Sequence, residues 1–177
     1  MKKTLAVIAT VMITVTGYSQ GTFIFNNFDP AHGIDAKVVN LFTLQGLGAG
    51  FTAQMLLVNG TSTTPLLPTT TFQTGAAAGY VNVPTDPITV PGIPAGSKAT
   101  LRMLAFNGSA FSSSTIVASS RDVTITLGGG GLPPAPLIGL TSFLTDFTTL
   151  PEPSTIALGL LGMAALFNKM KAAKRSR

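Results

Sequence analysis

In Arg121-Asp122-Val123-Thr124-Ile125-Thr126-Leu127, polar and apolar side chains alternate from Asp122 to Leu127 without a break. Successive side chains of an extended chain point to opposite faces, so this run buries Val123, Ile125 and Leu127 while Asp122, Thr124 and Thr126 meet water. A period of two excludes a helix here. No stretch between Gln20 and Leu150 offers a sustained helical period with caps.

The other apolar runs of this region are short. Thr22–Asn26, Lys37–Phe42 and Phe51–Val58 read as strands, the last followed by Asn59-Gly60, a pair suited to a tight hairpin. Ser97–Phe106 places Ala99, Leu101, Met103 and Ala105 on a core face with Arg102 outward, and Asn107-Gly108 then turns the chain. Ile88–Val90 is bracketed by proline on both sides. Proline cannot donate to a ladder, so this strand is expected at an edge or crossing between sheets. Residues 128–136, GGGGLPPAP, predict a flexible hinge followed by a stiff linker that ends the packed body. Thr141–Phe147 can add one last strand. The expected fold is all-β, an antiparallel β-sandwich of immunoglobulin-like or jelly-roll-like type over residues 20–150.

Charge is scarce, 10% of residues, and the net value of +5 belongs to the two ends. Lys2 and Lys3 open the chain, and Lys169, Lys171, Lys174, Arg175 and Arg177 close it. Between them Lys37, Lys98, Arg102 and Arg121 face Asp29, Asp35, Asp86, Asp122 and Asp146. The body therefore has no basic footprint for nucleic acid.

Both ends carry the features of an exported chain. After the two lysines, Leu5–Val15 is apolar and too short to be a comfortable permanent span. Gly17 and Ser19 occupy the small-residue positions of a signal-peptidase cut between Ser19 and Gln20, so residues 1–19 read as a signal peptide forming a short helix. At the other end Thr155–Phe167 is apolar or small throughout and is expected to be helical in lipid, where backbone groups must bond within the segment. Thirteen residues at ~1.5 Å each cover only roughly 20 Å, so a transmembrane helix over about 155–170 needs Lys169 and Lys171 to snorkel. The basic tail stays cytoplasmic and leaves Pro151-Glu152-Pro153 and all that precedes it outside. Two prolines hold Glu152, the only glutamate of the chain, on an extended backbone where it can be read as a point charge.

Pro151-Glu152-Pro153-Ser154-Thr155, the apolar run and the Lys/Arg tail together resemble the PEP-CTERM sorting signal of Gram-negative bacteria. That resemblance implies a membrane-held intermediate, processing by an exosortase-type enzyme, and delivery to the cell surface or an extracellular polysaccharide matrix. The family's dense arginine run is replaced here by five basic residues spread among Asn, Met, Ala and Ser. Gly50–Leu56, Phe72–Tyr80 and Pro91–Thr100 also resemble a family of secreted PEP-CTERM proteins with one small β-domain, for which no activity carries over. An uncleaved tail anchor is the competing reading of the C-terminus.

For chemistry the inventory is thin. The chain has no Cys and one His, so it has no thiol nucleophile, CxxC zinc site or disulfide framework. Asp29, His32 and Asp35 lie at three-residue spacing and are the one cluster to weigh as metal ligands, but Pro30 and Gly33 make a polar turn the favoured reading. No metal, cofactor or enzymatic activity is expected. Ser/Thr runs such as 61–64 and 112–115 offer a neutral hydroxyl surface, and Asn59-Gly60-Thr61 and Asn107-Gly108-Ser109 fit the glycosylation pattern, though turn chemistry explains both asparagines. Three readings of the body follow in order: a structural or adhesive matrix protein, a weak binder of polysaccharide, and a hydrolase with an unrecognised site.

Overall fold

A computed structural model describes residues 19–147. The expected signal helix and the expected C-terminal transmembrane helix, with Pro151, Glu152, Pro153 and the five basic tail residues, fall outside the described residues. Within them the chain is all-β, and no helix is long and apolar enough to cross a membrane.

The first six strands are β1 (Gln20–Phe23), β2 (Phe28–Asp29), β3 (Ile34–Asp35), β4 (Val38–Val39), β5 (Phe51–Asn59) and β6 (Ser62–Pro65). Six follow: β7 (Thr70–Thr71), β8 (Ile88–Pro94), β9 (Lys98–Asn107), β10 (Ile116–Ser119), β11 (Val123–Thr126) and β12 (Phe143–Phe147). The main sheet runs in the order β4-β12-β10-β9-β5-β6, with β11 also pairing β9 and β7 pairing β5. β1 and β8 form a separate antiparallel ribbon, and β2 and β3 a short hairpin.

The alternation read from the sequence sets the core. Ala99, Leu101, Met103 and Ala105 of β9 are buried beside Val123 and Ile125 of β11 and Ala53 and Met55 of β5. Phe23, Ile88 and Val90 of the β1–β8 ribbon enter the same cluster, with Phe25, Phe72 and Leu137 from connections. Outward, Arg102 meets Asp122 in a two-pronged pair at 2.6 and 3.0 Å. The guanidinium hydrogen bond holds the Asp122 carboxyl below its ordinary range. Both partners are exposed, so the pair fixes β9–β11 register more than it stabilises the fold.

Three expectations are corrected, and one strand is buried beyond what alternation describes. The sheet is not purely antiparallel, because β12 returns beside β4 in parallel, Phe143 opposite Val38 and Leu144 opposite Val39. The strand expected over Lys37–Phe42 stops after Val39, because Asn40 Oδ1 accepts from the backbone N–H of Phe42 at 2.9 Å and Thr43 at 3.1 Å and turns the chain. The far end of β9 is buried on both faces. Leu104 and Phe106 form a second small cluster with Val117, and Phe111 packs edge-on against Phe106 at 5.9 Å.

The third correction concerns residues 128–136, which are not a linker but part of the packed body. Gly128 and Thr22 exchange backbone hydrogen bonds at 2.9 and 3.0 Å, and Ile24 N–H donates to Ala135 at 2.9 Å, so this segment flanks β1 on the side away from β8. Gly129, Gly130 and Gly131 all have positive φ and close a tight turn onto Leu132. Gly128 lies against the Pro133 carbonyl with no room for a Cβ. The glycines are spent on close packing and turn geometry rather than on freedom.

Candidate functional site

The one place among the described residues where the sequence candidates gather is the β2–β3 hairpin. Asn26 Oδ1 accepts from Phe28 N–H at 3.0 Å and starts the turn; Pro30 fixes the following 3-10 turn, and Gly33, at φ 70°, closes it. The hairpin brings His32 Nδ1 to 2.7 Å from Asp29 Oδ2. Asp35 does not join them. It sits opposite Phe28 in the hairpin register, and its Oδ1 accepts from the Tyr80 hydroxyl at 2.6 Å.

No group of three His, Cys, Asp or Glu side chains is placed to hold a metal among the described residues. Asp29 and His32 instead join the turn they occupy, in keeping with the polar-turn reading. Around Asp35 an exposed amphipathic patch forms. The Phe28 ring, 45% exposed, tilts against the Tyr80 ring with centroids 4.7 Å apart, and Lys37 Nζ stands 5.8 Å from the same ring. The Asp35 hydrogen bond, with lesser contributions from burial and the carboxylate charge, raises the Tyr80 phenol above its ordinary value. A raised phenol keeps its proton at neutral pH, so this contact is complete there and is lost only as pH climbs through that raised value.

Beneath the patch lies Asn27, fully buried. Its Nδ2 donates to Ala36 O at 2.8 Å and Gly79 O at 3.0 Å, and its Oδ1 accepts from Val81 N–H at 2.8 Å. This carboxamide ties the hairpin to the segment carrying Tyr80, so it sets the position of both rings.

Sequence spacing found Asp29, His32 and Asp35 but missed Phe28, Lys37, Tyr80 and Asn27. Tyr80 is 45 residues from Asp35, and no local pattern carries a pairing of that range. Of the remaining predicted sites, Ser19 and Gln20 are exposed at the edge of the described residues. Gln20 is the first residue of β1, and the Ser19 carbonyl accepts from Ala95 N–H at 2.9 Å.

The chain matches no family model, no curated protein and no solved structure.

Proposed function

We propose that the chain is an exported protein of the cell surface or extracellular matrix, sorted through a C-terminal signal of PEP-CTERM type, with a structural or adhesive body. The observation that carries this reading is where the domain lies. Strands β1, from Gln20, to β12, through Phe147, lie in the chain between the expected cleavage site and Pro151-Glu152-Pro153. Signal peptidase, the inner membrane and an exosortase-type enzyme are then the successive partners. The ribbon of β1 and β8 facing the main sheet across one core is taken as the second layer of a sandwich. Cell fractionation tests export: the protein is expected outside the cytoplasmic membrane with its mature N-terminus at Gln20. Intact Met1 in the cytosol would contradict it.

A second reading, weak binding to matrix polysaccharide, is favoured by the Phe28–Tyr80 patch, where an apolar ring face lies beside hydroxyl, carboxylate and ammonium groups. Such a surface suits a sugar ring that stacks on one face and hydrogen-bonds at its edge. Retention of the secreted protein on immobilised matrix polysaccharide is the measurement. Phe28→Ala should weaken it roughly threefold to tenfold, as the loss of one aromatic contact implies. A wild-type protein that passes unretained would leave only the structural reading.

A further inference from the structure

Strand direction places two charge-free loops at the end of the sheet where the chain leaves for its C-terminal segment. β4 runs parallel to β12, so the connection after Val39 emerges on the same side as the chain after Phe147. β9 is antiparallel to β10, and β10 to β12, so the connection after Asn107 emerges there too. The two connections, residues 40–50 and 108–115, contain no charged residue. They form one rim: Leu41 N–H donates to Thr145 Oγ1 at 3.1 Å, and Gly108 N–H donates to Gly50 O at 3.0 Å. Asn107 Oδ1 accepts from the N–H of Thr115 and Ile116 at 2.9 and 2.8 Å and holds the second loop in place.

This rim presents apolar side chains outward. Leu44 is 72% exposed and Phe111 49%, with Leu41 also exposed in the first loop. Thr155, where the apolar run begins, is eight residues on from Phe147, a reach of at most about 29 Å. We infer that in the anchored intermediate this rim, through Leu44 and Phe111, rests on the lipid surface of the membrane that holds the apolar run. Charge-free apolar tips suit the boundary between headgroups and acyl chains, and tethering makes a weak contact sufficient because the surface is always within reach. Leu132, also exposed, lies in the turn after Leu127, whose N–H donates to Ser97 O just before β9, and so belongs to the opposite end of the sheet, which faces away. The inference rests on the anchoring proposed above.

The chain contains no tryptophan, so one introduced residue reports alone. The protein is taken from the membranes of an exporting host that lacks exosortase and reconstituted into phosphatidylcholine–phosphatidylglycerol vesicles, with and without bromine on the acyl chains. Leu44→Trp and Phe111→Trp should each lose about half of their emission to bromine, as an aromatic ring at the acyl boundary would, while Leu132→Trp should be unaffected. Phe111 also packs on Phe106, so the Leu44 variant guards against a local folding defect at the other position. Vesicle flotation reads the anchor separately. Flotation with unquenched tryptophan at both positions overturns the inference and leaves anchoring intact; failure to float overturns both. A blue-shifted emission that bromine does not quench would place the rim against protein, a second copy or the processing enzyme, and would equally overturn it.

Discussion

Asn27→Asp should lower the unfolding free energy of the secreted protein by about 3–5 kcal/mol, a large share of the roughly 5–15 kcal/mol typical of a domain. The exchange keeps the side chain's shape and its acceptor for Val81 N–H. It removes both N–H donors and sets a carboxylate oxygen against the carbonyls of Ala36 and Gly79 at a fully buried position. A buried charge without a donor, or a proton taken up to avoid it, is costly either way. The neighbouring Asn26→Asp is the control. Asn26 uses only its oxygen, toward Phe28 N–H, in a half-buried position, and a carboxylate serves that bond as well. Urea unfolding followed by circular dichroism should therefore show a much lower midpoint for the first variant and a nearly unchanged one for the second. Equal midpoints for wild type and Asn27→Asp would mean that the carboxamide does not tie the hairpin to residues 79–81.

The contrast between these two asparagines marks how far the sequence could be read. Periodicity gave β9 and β11 close to their observed bounds, because alternation is a local property and each of these strands has one buried face for most of its length; a short apolar run ending in Asn59-Gly60 marked β5 as well. It failed where a distant segment decides. Leu104 and Phe106 fall on the face that alternation gives to solvent and are buried because Val117 of β10 and Leu56 of β5 pack with them and Phe111 from the loop after β9 lies against Phe106. GGGGLPPAP has the composition of a hinge, yet its place beside β1 depends on bonds to Thr22 and Ile24 more than a hundred residues earlier. In the candidate site the same limit applies. The Asp29–His32 contact is visible at a spacing of three, whereas the pairing of Asp35 with Tyr80 and the three bonds of Asn27 join segments that only the fold brings together.

Glu152→Gln should have the largest effect on where the protein ends. If a sorting enzyme reads the carboxylate held between Pro151 and Pro153, the neutral isostere removes the charge it reads and leaves an unprocessed form in the membrane. Anchoring depends instead on the apolar run and on Lys169, Lys171, Lys174, Arg175 and Arg177, none of which changes. A tail anchor is therefore indifferent to the substitution, and a sorting signal is not. The direct measurement is mass spectrometry of the C-terminus of both proteins from a host carrying the cognate exosortase. Sorting predicts a wild-type product that lacks Lys169 to Arg177 and a Glu152→Gln product that retains them. An intact Arg177 in both would contradict it and reduce Pro151-Glu152-Pro153 to a stiff spacer before a permanent anchor.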